Sequence, residues 1–510
     1  MEWCRPQADV SQVSSVLIYR LCFHPLAKHP GPLLARLSAC ANWYHAKKGD
    51  RHEWIQSLHA QYGSAVRFTP NSISFNTVSA MDQIFRSRQA GAIKSDWYEC
   101  IRGSAGGFES TLTARQKARH AVKRRLLSHA FSERAMKDYE PRICKLVSTW
   151  LDCLEAEAKG RDIMDLGEWC NYLIFDILGD LAFGDSFGLM TTASERFVTG
   201  LIPKTTGGWY SLGYHPLTKS LRYLIFNTRL GQWIGGQSFR DNVRFRDFCI
   251  GKLNRRKAQS PGKDETPGKT DMFEHLLNGR DPETGQGYPM GDLACESVLL
   301  MVAGSQSTSG GLAATLFYLA HHPEKLSKLR AEIRTTFTTE SAIRYDGGSA
   351  LMTLPYLRAC IDESLRLSPP TPGHLPREIV GNNGMDIDGD WFPATTNVGV
   401  APYAIHRNAL YFPEPLEFRP ERWLGERDKE TRDDLQLAFV PFSAGATGCI
   451  GRQLAMMELC LAVARLLWRF DLQVALPSRN GPVEYRIRDC FVGDGDGPFL
   501  RLIRSPGSGF

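Results

Sequence analysis

A cysteine on a glycine-punctuated turn, directly ahead of an apolar helix, constrains this chain more than any other feature. The stretch Phe442-Ser443-Ala444-Gly445-Ala446-Thr447-Gly448-Cys449-Ile450-Gly451 runs into Leu454, Ala455, Leu459, Leu461 and Ala462, spaced as on one helix face. A thiolate at a helix N-terminus meets unpaired backbone N–H groups and the positive end of the dipole, which lower its pKa and aim donors at the sulfur. Such a sulfur suits an electron-rich metal. Glycines at 445, 448 and 451 are expected to supply backbone angles closed to other residues and to let a flat macrocycle approach the chain. An isolated cysteine after a loop is more often a structural core residue, so the case depends on what accompanies it.

Three segments accompany it. Glu363-Ser-Leu-Arg366 lies in an apolar-periodic helix, Leu354 to Leu367, that ends before Pro369-Pro370; Glu and Arg three apart share a face. Phe418-Arg-Pro420-Glu421-Arg422-Trp423 follows. Upstream, Met301-Val-Ala303-Gly304-Ser305-Gln306-Ser307-Thr308 interrupts a helix expected from about Asp292 to His321. Gly304 costs about 1 kcal/mol relative to Ala, and hydroxyls compete for backbone carbonyls. This stretch is therefore expected to distort locally, with tight packing at a small-residue patch as the alternative.

In this order the segments resemble the cytochromes P450. The cysteine loop matches the family's Phe-x-x-Gly-x-Arg-x-Cys-x-Gly at Phe442, Gly445, Cys449 and Gly451, with Thr447 in place of the arginine. The resemblance implies haem b (iron protoporphyrin IX) with Cys449 as the iron ligand. It implies a buried triad of Glu363, Arg366 and Arg422 that locks the segment before Cys449. His120-Ala-Val-Lys-Arg124 fits the family's Trp/His-x-x-x-Arg, and Arg377 in Leu375-Pro376-Arg377-Glu378 fits its propionate-binding arginine. A solvated basic helix face is the alternative for His120 and Arg124. The family usually has Ala-Gly-x-Asp/Glu-Thr where this chain has Gln306 and Ser307, with Thr308 next. By resemblance Gln306, Ser307 and Thr308 are the catalytic positions that deliver protons to bound O2. A carboxamide does not shuttle protons as a carboxylate does. Either Ser307 and a water chain suffice for monooxygenation, or the chain rearranges an already oxygenated substrate.

At 510 residues, length alone suggests two to four domains, whereas the motif order argues for one large domain. The motif order predicts a mainly α fold with a minor β lobe, the cytochrome P450 fold, over residues 26–510. Short β-like runs are expected at Ala65–Phe68, Ser72–Phe75, Pro376–Val380 and after Leu472, and a surface loop at Asn254–Thr270. With 43% hydrophobic residues and a net charge of +6 spread among acids, the chain has a core but no nucleic-acid stripe. Its 13 cysteines have no CxxC pair, which argues for reduced thiols and against zinc.

Tyr19-Arg20-Leu21-Cys22-Phe23-His24-Pro25-Leu26 and Pro30-Gly31-Pro32 are similar to the region behind the membrane anchor of fungal microsomal members. Arg20 interrupts the apolar run there, which is too short for a span of about 20 residues. Residues 1–25 are accordingly expected to be an interfacial segment or a shortened anchor, with peripheral contact on the cytosolic face of the endoplasmic reticulum membrane.

The resemblance, strongest to fungal enzymes of specialised metabolism, implies monooxygenation of a lipophilic small molecule such as a terpenoid, polyketide or alkaloid. Electrons would come from NADPH through NADPH-cytochrome P450 reductase, since the chain has no flavin or nicotinamide motif. The substrate is expected to meet Trp97–Glu109, Gly207–Tyr214, Met301–Ser305 and Thr371–Leu375, with His374 as a wall. The rival readings are a reductase-independent haem-thiolate isomerase or dehydratase, and a haem-binding protein without turnover.

Overall fold

The computed structural model describes residues 10–87, 91–104, 107–258, 271–281, 283–345, 350–425, 429–475 and 483–505. Among the described residues helices predominate and four small sheets accompany them, the expected mainly α architecture with a minor β lobe. At the centre lies one long helix, Met290–His321, packed against helices Leu166–Phe183, Arg229–Ala258, Pro355–Leu367 and Arg452–Arg469. Leu293, Met301, Leu312, Leu316 and Leu319 are buried along it. A helix apolar on most sides can be stable only when neighbours cover it.

Local rules set the ends of these helices. The Ser132 hydroxyl accepts from the Ala135 N–H at 3.3 Å and caps helix Glu133–Ala158. Asp165 does the same for helix Leu166–Phe183 through the Gly167 and Glu168 N–H groups. Helix Pro355–Leu367 stops ahead of Pro369-Pro370, as its sequence requires.

The largest sheet has five strands in the order Ala65–Thr69, Ser72–Phe75, Asn397–Val400, Arg377–Ile379, Ala92–Lys94. Ser72–Phe75 and Asn397–Val400 run parallel, and the other pairs are antiparallel. Its Ile73, Phe75, Ile379 and Val398 form a second, smaller core beside the helical one. A hairpin, Ile487–Cys490 with Val492–Gly495, reaches back to the cavity described below. Strand Phe470–Val474 pairs with Phe499–Arg504.

Two expectations change. The long helix is unbroken at Gly304. The Ser305 and Ser307 hydroxyls donate back to the Met301 and Ala303 carbonyls within the same helix, so they share those acceptors without displacing the backbone ladder. Packing is what the small residue serves: a Cβ at Gly304 would sit 3.1 Å from Leu178 Cδ1. A non-helical residue occurs instead in helix Arg229–Ala258, at Gly236 (φ 53°, ψ −125°). That helix also takes in Asn254–Ala258, the start of the expected loop; residues 259–270 lie outside the described residues.

Near the N-terminus, a helix Val10–Ile18 continues into a single π turn, Tyr19–Phe23. Arg67 donates to the Arg20 carbonyl at 2.8 Å and Arg36 to the Ala27 carbonyl at 3.0 Å. The Arg67 bond ties the segment to the sheet, and the Arg36 bond ties the chain after it to helix Leu33–Leu37. Among the described residues, no helix is long and apolar enough to cross a membrane.

Candidate functional site

Cys449 lies three residues ahead of helix Arg452–Arg469, and its N–H donates to the Phe442 carbonyl at 2.8 Å, closing the loop between them. The loop is pressed onto the β lobe. Gly445 has φ +66°, and a Cβ there would lie 1.8 Å from the Phe85 carbonyl oxygen; no other residue fits. Gly448 and Gly451 have negative φ, so only Gly445 uses the conformational freedom expected of all three. At Gly451 a Cβ would face Phe131 and the Cys449 sulfur at 3.6 and 4.0 Å.

The Cys449 side chain opens into a cavity of about 300 Å³. Phe442, Thr447, Gly448 and Gly451 line its lower wall, and Ala303, Gly304, Ser307 and Thr308 of the long helix line the upper one. The expected lowering of the thiol pKa is reversed. Burial pushes Cys449 above its ordinary value, and the Gly451 N–H, Arg124 and Arg452 only partly oppose this. A coordinated cation changes that balance, because a metal-bound thiol is deprotonated outright.

One edge of the cavity is basic. His120, Arg124 and Arg377, singled out from the sequence, are joined there by Lys94 at the end of strand Ala92–Lys94. Burial, with Lys94, Arg124 and Arg377 beside it, holds His120 down at about 3. Burial and the Arg377 charge bring Lys94 down to about 7, with Glu296 pulling the other way. Arg124 is also lowered, chiefly by burial. Thr447, which replaces the family's arginine, accepts from Arg377 Nη2 at 3.0 Å, and Arg377 Nη1 reaches the Tyr98 hydroxyl at 3.4 Å. Basic groups crowded at one rim of an apolar slot call for an anionic partner. A flat macrocycle with two carboxylates at one edge and a thiolate below its metal fits these residues.

Glu363, Arg366 and Arg422 come together in the core. Arg366 meets both Glu363 oxygens at 2.9 Å, and Arg422 Nε meets Oε1 at 2.8 Å. The Arg419 N–H and Trp423 Nε1 complete the carboxylate's shell at 2.9 and 3.0 Å. Arg366 also donates to the carbonyls of His406, Pro415 and Glu417. His406 then links triad to loop: Nδ1 lies 3.1 Å from the Arg366 carbonyl, and Nε2 accepts from the Val440 N–H at 2.9 Å. With one nitrogen donating and the other accepting, the ring is neutral. Burial and Arg366 hold its pKa well below the usual histidine value.

On the upper wall, Ser307 and Thr308 face the cavity, whereas Gln306 does not. The Gln306 side chain lies in a cleft on another side of the long helix, beside Asn171 and Ser309, with neither amide atom hydrogen-bonded. Thr308 shares the cavity lining with Glu458, a buried carboxylic acid whose pKa burial pushes up to about 8, with the Thr308 hydroxyl pulling it back. Nothing in the sequence marks Glu458 beyond its place in an apolar helix, nine positions after Cys449. Lys94 escapes notice because a lone lysine ending a strand reads as a solvated residue.

A second chamber of about 370 Å³ adjoins the first. Trp97, Phe108, Trp209, Phe245 and Val302 line it, and Leu112, Leu299 and Phe491 border both chambers. Thr371 and Leu375 line the cysteine cavity, but His374 is packed against Phe68 and Gly399 in the core. Every cysteine among the described residues is free, and among them no cluster of histidine, cysteine or acidic side chains could hold a separate metal ion.

The sequence model of the family described as Cytochrome P450 matches residues 30–484. Curated relatives include the cytochrome P450 monooxygenase poxM of Penicillium oxalicum, 34% identical over 96% of this chain and 92% of that protein. The cytochrome P450 monooxygenase fscF of Fusarium equiseti is 34% identical over 96% of this chain and 94% of its own length. A third, AKT7 of Alternaria alternata, is 34% identical over 91% and 87% of the two chains. With similarity of this breadth, and the family's cysteine loop opening onto a cavity suited to haem, the chain belongs to the cytochrome P450 family of oxidoreductases.

Proposed function

We propose that this protein is a haem-thiolate monooxygenase that inserts one oxygen atom from O2 into a lipophilic small molecule of fungal specialised metabolism, a terpenoid, polyketide or alkaloid. NADPH-cytochrome P450 reductase is the proposed electron source. The observation that carries this reading is the cavity itself, with the Cys449 sulfur in one wall, Ser307 and Thr308 in the other, and Lys94, His120, Arg124 and Arg377 along one rim.

Haem b, when bound, supplies an iron at which dioxygen is reduced. Cys449 would hold that iron from below. Arg124, Arg377 and Lys94 would hold the two carboxylates at the rim, with Thr447 orienting Arg377. Glu458 keeps its proton at neutral pH and can pass it to the Thr308 hydroxyl. The Ser307 hydroxyl, engaged with Ala303 O, can turn into the cavity. Gln306 faces another cleft, so replacing a carboxylate there leaves the cavity's own acid in place. That supports monooxygenation over isomerisation.

For location we propose peripheral contact with the cytosolic face of the endoplasmic reticulum membrane. Ile18, Tyr19, Phe23, Leu33 and Leu34 expose apolar side chains near the N-terminus, as do Leu217, Tyr223, Leu224 and Trp233 further along. Carbonate extraction that leaves the full-length protein entirely in membranes would replace this by a spanning anchor, and recovery in cytosol without extraction would remove it.

The test of function is a carbon monoxide difference spectrum of the reduced protein, then turnover with NADPH with and without reductase. The thiolate-type Soret band and reductase-dependent, oxygen-containing product are expected. Product formed without reductase would favour the isomerase reading, and a normal spectrum without product on any lipophilic panel member would favour a binding protein.

A further inference from the structure

The segment Glu109–Thr111 belongs to no helix or strand, yet its backbone is gripped by four charged side chains from three other elements. Alternate residues are held in the same way. The Glu109 N–H donates to Asp292 Oδ1 at 3.1 Å, and the Thr111 N–H and hydroxyl donate to Glu296 Oε1 at 2.6 and 2.7 Å. Asp292 and Glu296 stand one turn apart on the long helix Met290–His321. The carbonyls go to lysines. Lys123 Nζ, from helix Lys117–Ser128, donates to the Glu109 carbonyl at 2.8 Å, and Lys94 Nζ, from strand Ala92–Lys94, donates to the Thr111 carbonyl at 2.7 Å. None of the four charged residues is more than 6% exposed. A buried segment whose N–H and C=O groups are satisfied by charges in place of a sheet depends on the state of those charges.

The two rungs of this ladder differ. Lys123 and Asp292 form an ion pair with each other at 2.7 Å. Glu296 and Lys94 are joined through Thr111, and Glu296 Oε2 has no hydrogen-bond partner. Burial pushes Glu296 up to about 7 against the Thr111 donors and the Lys123 charge, while Asp292 adds to the rise. Lys94 comes down to about 7 beside Arg377 and Arg124, with Glu296 and Glu109 opposing. Both groups therefore lie close to losing their charge. Lys94 also lines the basic rim of the cysteine cavity. Anions at that rim favour its ammonium form, and the ammonium in turn favours the Glu296 carboxylate. Charged partners then make the stronger hydrogen bonds to Thr111. The wall that this controls belongs to both chambers. Phe108, Ser110, Leu112 and Thr113 line the outer one and Thr111 the inner one; Leu112 borders both, as do Leu299 and Phe491, the last held at φ +78°.

We propose that Lys94 and Glu296 are positioning residues that make this wall of the outer chamber answer to the haem carboxylates. Seating the cofactor charges the Lys94–Thr111–Glu296 link and fixes residues 108–113 against the long helix. The proposal rests on the reading of the basic rim as the seat of those carboxylates. By linkage, a ligand that packs on the ordered wall also tightens the hold on the cofactor.

The experiment loads the full chain with haem b or with its dimethyl ester, whose propionate groups carry no charge, and follows amide hydrogen exchange at Thr111 and Glu109. With haem b, Thr111 is expected to exchange about tenfold or more slowly than with the ester, while Glu109 changes less. Lys94→Met loaded with haem b should exchange at Thr111 as the ester-loaded parent does, and Lys94→Arg, which keeps the charge, as the parent with haem b. Glu296→Gln should flatten the difference between the two cofactors. Equal Thr111 rates with haem b and ester overturn the coupling, and a difference that survives in Lys94→Met and Glu296→Gln overturns this route for it. If Lys94→Met does not fold, Glu296→Gln with both cofactors decides; if the ester does not load, equal Thr111 rates in the parent and Lys94→Met with haem b overturn the proposal. Absence of the thiolate-type Soret band in the unaltered protein defeats the haem reading instead, so the two failures are told apart.

Discussion

The two walls of the cysteine cavity are built on opposite principles. The lower wall is over-determined: Glu363 receives donors from Arg366, Arg419, Arg422 and Trp423, and His406 carries that network to Val440 and the loop. Gly445 is wedged against a backbone carbonyl with no room for a methyl group. The upper wall is an unbroken apolar helix whose hydroxyls mostly satisfy themselves, with Gln306 left unpaired on another side. The lower wall has one arrangement in which all its buried charges are paired, whereas the stretch Ala303–Thr308 of the upper wall carries no charged side chain.

The strongest way to break this contrast is at the sulfur. Cys449→Ser is expected to abolish the thiolate-type Soret band of the reduced carbon monoxide complex, and survival of the band would place the ligand elsewhere. Next is the triad. Glu363→Ala leaves two guanidinium groups buried without their carboxylate, and should destabilise the fold by about 3–5 kcal/mol in denaturant unfolding. A loss under about 1 kcal/mol would show that the carbonyls around Arg366 and Arg422 suffice alone.

The upper wall should respond in activity before stability. Thr308→Val removes the hydroxyl that meets Glu458, and is expected to lower product formed per NADPH about 100-fold, the scale of one positioned proton donor. Unchanged coupling would leave Ser307 as the sole relay.

A pH experiment sharpens the role of Glu458. Its folded-state pKa is raised from 4.5 to about 8, so between those values the native state holds a proton that the unfolded chain has released. Stability attributable to this residue therefore falls as pH rises across that window. Glu458→Gln should remove that part of the slope, seen as thermal midpoints that converge with the parent at low pH and exceed it near pH 8. The smallest effect is expected at Gln306. Exchanging it for Leu removes two buried unpaired amide atoms and should raise stability by up to about 1 kcal/mol. A fall would mean that ordered water in the cleft satisfies the amide.

The same contrast explains what could be read from the sequence. The loop, the Glu-Ser-Leu-Arg helix and the Pro-Glu-Arg turn were legible because buried charges and wedged glycines tolerate few residue types. Helix Pro355–Leu367 and strands Ala65–Thr69 and Ser72–Phe75 fell within a residue or so of expectation, since prolines and alternation mark their ends. Glu458 and Phe491 were not legible. Protonation of a buried carboxylate depends on neighbours supplied by other elements, and a left-handed φ at a phenylalanine has no local signature. The distortion expected at Gly304 failed because propensity describes an isolated helix, while this one is held straight by packing on Leu178 and its neighbours.

His406 has a mechanical consequence. It is a pin in a truss, with the triad as one strut and the cysteine loop as the other, and the pin transmits load only while one nitrogen carries hydrogen and the other does not. An asparagine or glutamine in its place would offer the right atoms on a lever of the wrong reach, so the joint tolerates no ordinary substitute. Slack introduced at this one ring would be felt at the sulfur, although the residue lies 43 positions away in the chain and touches nothing that reacts.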